Sequence, residues 1–165
     1  MYNLLNTIFR PYTKADFLSI QTIHAQNHRN YGGLLVGSLY PDNYYVLEKH
    51  NKIIAYANIL LELPDRVIRQ SEWDIPKKAK PQGIYIRQTA VDVSLQGQGI
   101  GTMLYQELFG LFPDKDYFSH VRDTNQQSLH FHEKNGFVRI GLFETDDFFG
   151  INHYRAFLMG RILNR

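Results

Sequence analysis

The chain has 165 residues, of which 44% are hydrophobic and 21% charged, a composition that predicts one globular domain and excludes an intrinsically disordered protein. It contains no cysteine, which excludes a disulfide framework, a cysteine nucleophile and a thiolate metal centre, and fits a reducing compartment. The formal net charge of +2 is too small for a nucleic-acid-binding surface, no run of about 20 apolar residues is present, and no secretory signal is expected because residues 1–10 lack its apolar central region. We therefore expect one cytoplasmic domain over residues 1–165, without nucleic-acid or membrane partners.

The first half of the chain is predicted to open with a strand and a helix, followed by a pair of antiparallel strands. Phe17, Ile20 and Ile23 have the spacing of one helix face, in a helix that begins at Thr13. Runs rich in β-branched and aromatic residues predict strands over 8–12, 44–48 and 53–63, with a hairpin turn at 49–52. A short helix or loop is expected over 30–40, a turn at 41–43 and, over 64–82, a long loop with room for one helical turn.

The second half is predicted to alternate strands and helices. A strand over 83–93 precedes an amphipathic helix over 99–111, and a strand over 117–121 precedes a helix over 125–135 that Gly136 ends. Two strands, over 137–144 and 153–162, close the chain around a turn at 146–150. This order, without internal repeats, predicts the α/β class with a mixed sheet.

The strongest local signal is the glycine-rich segment from Gln96 to Thr102, between a predicted strand and a predicted helix. Glycines lack a Cβ, so the backbone can approach a ligand closely, and the start of the helix adds unpaired N–H groups and the positive end of its dipole. The segment therefore predicts a phosphate-binding site, although a tight turn in which glycine only relieves crowding would share these letters. It lacks the lysine of a P-loop and the spacing of a dinucleotide fingerprint.

The same segment resembles the acetyl-CoA signature of the GNAT (GCN5-related N-acetyltransferase) family, Gln/Arg-x-x-Gly-x-Gly/Ala. The resemblance implies the GNAT fold, a central twisted mixed sheet flanked by helices, with acetyl-CoA as the cofactor. It also implies that the main chain of Val91 and Val93 pairs with the pantetheine arm, and that an N–H near Val91 polarises the thioester carbonyl. The residues that would hold the diphosphate are Gln96, Gly97, Gln98, Gly99, Ile100, Gly101 and Thr102.

A second segment, Asn125 to Phe137, resembles the family's Asn-x-x-Ala/Ser-x-x-Phe-Tyr-x-Lys-x-Gly-Phe helix. Asn125 is then expected to contact the pantetheine, although capping the helix would also account for it. His132 stands where many relatives have the tyrosine that protonates the leaving thiolate. An imidazolium with a pKa near 6.5 can protonate a thiolate with a pKa of about 8.5, so His132 is the candidate acid. The alternative is that His132 only packs or hydrogen-bonds near the sulfur.

No metal is expected, because His24 and His28 have ligand spacing but lack the glutamate of a HExxH motif. A base for the acceptor amine is less clear from the sequence. A water relay is one possibility, and the side-chain candidates by placement are Glu62, Gln88, Asp92, Asp146 and Asp147.

The resemblance covers essentially the whole chain and implies direct acetyl transfer, in a ternary complex, to a small-molecule or peptide amine. The sequence does not identify this amine. Residues 24–35, the loop 64–82, which contains Trp73, and the turn 146–150 are expected to set acceptor choice. A non-catalytic CoA-binding module and a nucleotide-binding regulatory domain are the alternatives, and the protein is expected to be a monomer or a homodimer.

Overall fold

The computed structural model describes residues 6–27, 43–73, 83–148 and 151–163. Helices and strands alternate, and the strands pair both in parallel and antiparallel, which confirms the predicted α/β class with a mixed sheet. The strands are β1 (Thr7–Pro11), β2 (Tyr44–Lys49), β3 (Lys52–Leu60), β4 (Ser71–Trp73), β5 (Gly83–Val91), β6 (Asp116–Arg122), β7 (Val138–Phe148) and β8 (Ile151–Arg161). The helices are α1 (Phe17–Asn27), α2 (Asp65–Gln70), α3 (Ile100–Leu111) and α4 (Gln126–Lys134).

The chain divides into two compact units, and the single domain over residues 1–165 stays a prediction. The first unit combines Met1–Ile59 with Gln88–Leu111. In it, β1, β2 and β3 form an antiparallel meander, and the turn between β2 and β3 has positive φ at His50 and Asn51, as a tight hairpin turn requires. Helix α1 buries Ile20 and Ile23 in a core with members from β2, β3 and β5.

An ion-pair network at the start of α1 joins it to the first two strands. The guanidinium of Arg10, on β1, donates through Nη1 and Nη2 to the two carboxylate oxygens of Asp16, both at 2.8 Å. Its Nε donates to Glu48 on β2 at 2.7 Å. The Asp16 carboxylate also accepts from the N–H of Thr13 at 2.7 Å, and Thr13 caps a 3₁₀ turn, Lys14–Asp16, that leads into α1, so the helical segment begins where it was predicted. The hydrogen bonds from Arg10 lower the pKa of Asp16 to about 2.

The second unit combines Leu60–Arg87 with Phe112–Arg165. Its strands pair in the order β5, β6, β8, β7 and β4, with β5 and β6 parallel and the other pairs antiparallel. The parallel register runs from Gly83–Asp116 to Ile86–Ser119, so it ends before either strand does. The core of this unit contains Leu63, Val67, Tyr85, Phe118, Ile140 and Leu158.

The prediction of a long loop over residues 64–82 is wrong for its first part, although the helical turn allowed there corresponds to α2. Helix α2 and strand β4 occupy its first part, and β4 pairs with β7 from Ser71–Phe143 to Trp73–Gly141. Asp65 lies in the first turn of α2, where it complements the helix dipole, and Val67 is buried in the core. The remaining residues of the predicted loop, 74–82, and the side chain of Trp73 lie outside the described part of the chain, as do residues 28–42.

Three strand ends also differ from the predictions. Strand β3 ends at Leu60 instead of Leu63, because Leu63 packs into the core of the second unit. Strand β5 ends at Val91 instead of Val93, because a 3₁₀ turn begins at Val93. The closing hairpin is longer than predicted, since β7 continues through Asp146 to Phe148 and the pairing extends to Phe148–Ile151. The predicted turn at 146–150 is therefore wrong for residues 146–148, and residues 149 and 150 lie outside the described residues.

Candidate functional site

The glycine-rich segment Gln96–Thr102 joins a short 3₁₀ turn, Val93–Leu95, to helix α3. Gly97 and Gly99 have φ of +74° and +86°, in the left-handed region that side chains other than glycine rarely adopt. A Cβ added at either position would meet no atom within 4 Å. The two glycines are thus required by the backbone conformation and not by crowding, and this requirement is the same for a tight turn with or without a bound anion.

The amides of this segment are available to a ligand. The first backbone hydrogen bond of α3 runs from the N–H of Met103 to the carbonyl of Gly99, at 3.0 Å. Within the described ranges, no acceptor is bonded to any backbone N–H from Gly97 to Thr102. Gly97, Gln98 and Gly99 are exposed. Ile100 is buried, and Gly101 and Thr102 are half-buried, so the exposed part of the row is its first three residues. Exposed N–H groups at the positive end of a helix dipole are suited to an anion such as a diphosphate.

The end of β5 leads into this segment through a turn that sequence reasoning missed. The side chain of Asp92 accepts hydrogen bonds from the N–H of Ser94 at 2.9 Å and from its hydroxyl at 2.6 Å. This pattern turns the backbone into a 3₁₀ helix, so β5 stops at Val91. The Asp-x-Ser spacing was the available signal, and the β-branched Val93 outweighed it in the strand prediction.

Val91 and Val93 already have hydrogen-bond partners on their main chain. The carbonyl of Val91 accepts from Asn27 at 3.0 Å and from Gln96 at 3.4 Å. The N–H of Val93 donates to Gln26 at 3.3 Å, and its carbonyl accepts from the N–H of Gln96 at 3.4 Å. The pantetheine pairing expected of Val91 and Val93 stays a prediction. For the N–H of Val93, the pairing requires that the exposed hydrogen bond to Gln26 break and that a bond to pantetheine replace it.

Asn125 caps helix α4, as one of the two sequence interpretations predicted. Its side-chain oxygen accepts from the N–H of Ser128 at 3.0 Å, while its own N–H donates to the carbonyl of Arg122 at 2.9 Å. Its side-chain NH2 has no acceptor among the residues that the structure describes. The cap and the predicted cofactor contact are therefore compatible, because each uses a different atom of one exposed amide. At the other end of α4, Gly136 with φ +84° ends the helix as predicted.

His132 is buried on α4, with 4% of its surface exposed. Its Nδ1 lies 2.8 Å from the carbonyl of Ser128, and because a carbonyl can only accept, Nδ1 carries the hydrogen. The edges of Phe131 and Phe137 approach the ring, with centroids at 5.6 and 5.2 Å. Burial lowers the pKa of His132 to about 4, although the hydrogen bond to Ser128 opposes this shift. The expectation of a pKa near 6.5 was wrong, because a surface value was used for a desolvated ring.

The side chains considered as a base for the acceptor amine are mostly exposed or already engaged. Glu62 is exposed, Asp146 is fully exposed with His153 at 3.8 Å, and Asp92 is committed to the turn. Gln88 has a buried side-chain oxygen without a hydrogen-bond partner among the described residues, and the side chain of Asp147 is not described. None of the three described carboxylates is therefore both buried and available as a base.

Sequence reasoning also missed a tyrosine–histidine pair in the second unit, in which the tyrosine is buried and the histidine half-buried. The hydroxyl of Tyr85, on β5, lies 2.8 Å from Nδ1 of His120, on β6. His120 directly follows Ser119, the last residue of β6 that pairs with β5. Its Nε2 is buried and has no hydrogen-bond partner among the described residues, and burial lowers its pKa to about 3. Both side chains are uncharged at neutral pH, and because 35 residues separate them, no local motif marks them.

The described ranges contain no group of three or more histidine, aspartate or glutamate residues placed to hold a metal ion. His24 is buried and hydrogen-bonded to the hydroxyl of Tyr56 at 2.8 Å, whereas His28 lies outside the described residues. No helix in these ranges has the length and apolar character needed to cross a membrane.

The chain is similar to known proteins in its sequence pattern and in its fold. A family model described as the acetyltransferase (GNAT) family matches residues 1–137. A search of curated protein sequences found no match.

Solved structures with the same fold have low sequence identity to this chain. Naa50 from Arabidopsis thaliana, in complex with the bisubstrate analogue CoA-Ac-MVNAL, has a TM-score of 0.71 at 12% identity, covering 96% of this chain and 100% of that one. Ard1 from Thermoplasma volcanium has a TM-score of 0.71 at 18% identity, with 98% and 100% coverage. The ribosomal-protein-S18-alanine N-acetyltransferase from Escherichia coli has a TM-score of 0.60 at 16% identity, with 93% and 92% coverage.

Proposed function

Because the chain belongs to the GNAT acetyltransferase family and is an acetyl-CoA-dependent N-acetyltransferase, we propose that it acetylates a primary amine of a small molecule or a protein by direct transfer in a ternary complex. The observation that carries this proposal is the row of backbone N–H groups from Gly97 to Thr102 at the start of α3, which bond to no acceptor within the described ranges and are exposed at Gly97, Gln98 and Gly99. These amides can hold the diphosphate of acetyl-CoA without a metal ion. No covalent enzyme intermediate is needed, because the amine attacks the thioester itself.

In the proposed complex the cofactor follows the end of β5. The main chain at Val91 and Val93 pairs with the pantetheine arm, and the side-chain NH2 of Asn125 donates to it. An N–H near Val91 polarises the thioester carbonyl and stabilises the oxyanion that forms when the amine attacks. The groups proposed for the diphosphate are those of Gln96, Gly97, Gln98, Gly99, Ile100, Gly101 and Thr102.

His132 is proposed as the group that protonates the leaving thiolate. With a pKa of about 4 it is neutral at pH 7, when only about one ring in a thousand carries a proton, so the free enzyme does not store an imidazolium. Nε2 is the ring nitrogen that can exchange a proton, since Nδ1 donates to Ser128. As the N–C bond forms and the C–S bond breaks, the proton lost by the amine passes to Nε2 and then to the sulfur. In these two proton transfers His132 acts first as a base and then as an acid.

The acceptor proposed first is an α-amine of a peptide or protein. An α-amine with a pKa of about 7.7 to 8.0 is partly neutral at physiological pH, whereas a lysine with a pKa of about 10.4 requires a strong base. The described carboxylates Glu62, Asp92 and Asp146 offer no such base. The structure of Naa50 contains a CoA–acetyl–peptide analogue, and the Escherichia coli enzyme is named for an alanine of ribosomal protein S18. Both similarities support a peptide amine for this chain.

The test is acetyl-CoA thiol release with a panel of amines, after CoA binding has been measured by calorimetry. The panel contains one peptide with a free N-terminus and no lysine, the same peptide with a blocked N-terminus and one lysine, and a polyamine. Thiol release with the first peptide and not the second supports the proposed acceptor. Binding of CoA without turnover on any amine would indicate a CoA-binding module, and no CoA binding would refute the proposed function.

A further inference from the structure

Three side-chain amides connect the end of α1 to the end of β5 and to the start of the glycine-rich segment. The side-chain NH2 of Asn27, the last residue of α1, donates to the carbonyl of Ile23 at 2.8 Å and to the carbonyl of Val91 at 3.0 Å. Its oxygen accepts from the side-chain NH2 of Gln96 at 2.7 Å. That same NH2 of Gln96 lies 3.4 Å from the carbonyl of Val91.

This arrangement fixes the orientation of the Asn27 side chain. Both of its N–H donors are used, one by its own helix and one by β5, and its oxygen accepts the shortest bond of the network. The neighbouring Gln26 adds a parallel connection, because its side-chain oxygen accepts from the N–H of Val93. Two consecutive residues of α1 thus hold the chain on both sides of the point where β5 ends.

Gln96 is the residue through which this network reaches the cofactor turn. It directly precedes Gly97, and its backbone is extended, with φ −64° and ψ 156°. Without its bond to Asn27, the exposed side chain of Gln96 would keep only the longer contact to Val91. The bond to Asn27 therefore sets the position from which the amides of Gly97 to Thr102 are presented.

We propose that Asn27 is a positioning residue for acetyl-CoA, which acts by holding Gln96 and the carbonyl of Val91 and does not touch the reacting atoms. This inference rests on the proposed function, because it assigns the acetyl-CoA site to the segment Gly97–Thr102. The last turn of α1 is then part of the cofactor site, and it leads in sequence directly into residues 28–35, part of the region expected to set acceptor choice.

The test compares CoA affinity by calorimetry for Asn27→Ala, Gln96→Ala and the double variant. Asn27→Ala removes three side-chain hydrogen bonds, and loss of the two that join Asn27 to Val91 and Gln96 is expected to weaken CoA binding about 5- to 30-fold. If Asn27 acts through Gln96, the double variant binds about as weakly as the weaker single variant, instead of showing the product of the two losses. In steady-state kinetics, the KM for acetyl-CoA should rise by a similar factor.

Thr22→Ala is the matched control. Thr22 also lies on α1, and its hydroxyl donates to the carbonyl of Leu18 at 2.9 Å, in an exposed position away from the network. CoA affinity should be unchanged in Thr22→Ala. Asn27→Asp is a second variant of the same size, which keeps an acceptor for Gln96 but loses the donors to Ile23 and Val91, and it should also bind CoA more weakly.

The outcomes separate this inference from the proposed function. If the wild-type protein binds CoA and Asn27→Ala and Asn27→Asp bind it equally well, the positioning role is wrong while the proposed function stands. Multiplicative losses in the double variant also overturn the role, because Asn27 and Gln96 would then act independently. If the wild-type protein does not bind CoA, the proposed function itself fails, whatever the variants do.

Discussion

Substitution of Gly99 tests the acetyl-CoA site at the position where the backbone is most constrained. Gly99 has φ of +86°, and a Cβ there would meet no atom within 4 Å. There is therefore room for a side chain, but the backbone conformation is unfavourable for any L-residue that carries one. An L-residue in this region costs about 1–2 kcal/mol, and a β-branched residue costs more. The segment is exposed, so the variant can relax to negative φ without unfolding the protein, and the neighbouring amides then turn away from the ligand.

The expected consequence is a loss of CoA affinity that follows the side chain's tolerance for positive φ. Restoring the bound conformation at a cost of about 1–2 kcal/mol corresponds to roughly a 5- to 30-fold higher Kd for Gly99→Ala. Gly99→Asn should lose less, because asparagine enters the left-handed region more readily, and Gly99→Val should lose more. Calorimetric titration with CoA measures the series, and thermal unfolding should show little change in Tm.

Gly110→Ala provides a matched control on the same helix. Gly110 is exposed inside α3, its φ is not positive and a Cβ there has open space. Alanine should therefore stabilise the helix by about 0.5–1 kcal/mol and leave the Kd for CoA unchanged. If folded Gly99→Val binds CoA as tightly as the wild type, the amides of this segment do not hold the diphosphate and the reasoning is refuted.

Three further predictions concern α4 and the acid stability of the fold. Asn125→Asp keeps the oxygen that accepts from the N–H of Ser128 but loses the NH2, so CoA should bind more weakly with little change in Tm. Asn125→Ala loses both groups and should in addition lower the stability by about 1 kcal/mol. Equal CoA affinity in both variants and the wild type would exclude the contact. His132→Phe should lower kcat more than it changes CoA affinity. Because the pKa of His132 is lower in the folded state, its contribution to stability is present above pH 6.5 and is lost as the pH falls towards 4. Urea titrations at a series of pH values should show the free energy of unfolding fall by up to about 3 kcal/mol over this range, and His132→Phe should lack this part of the decline. Asp16→Asn should lower the free energy of unfolding by about 2 kcal/mol above pH 4, because Arg10 lowers the pKa of Asp16. The difference between the variant and the wild type should disappear as the pH falls through 2. An undiminished difference at and below pH 2 would contradict the ion pair as its source.

Local patterns were sufficient to predict most of the fold. The helical spacing of Phe17, Ile20 and Ile23, the glycine after α4 and the β-branched runs each depend on neighbouring residues, so sequence alone located these elements to within a few residues. The segment Gln96–Thr102 was equally accessible, because its chemistry lies in its own backbone. The family and its cofactor followed from that segment and from the second motif, and the family comparison confirms both.

The parts that could not be predicted depend on residues far apart in the sequence. Asn27 meets Val91 across 64 positions, and Tyr85 meets His120 across 35, so no window of sequence contains either pair. Strand β4 was missed because its partner, β7, lies about 70 residues later. The pKa of His132 was wrong for the same reason, since burial is a property of the folded chain and not of the motif.

The open space around Gly97 and Gly99 means that handedness, and not size, restricts these two positions. At positive φ a D-amino acid is in its own favoured region, where the L-form is strained. A D-alanine introduced at position 99 by chemical ligation should therefore preserve the turn and bind the cofactor like glycine. Stereochemical inversion at a single atom would then separate a requirement for backbone shape from a requirement for the absence of a side chain.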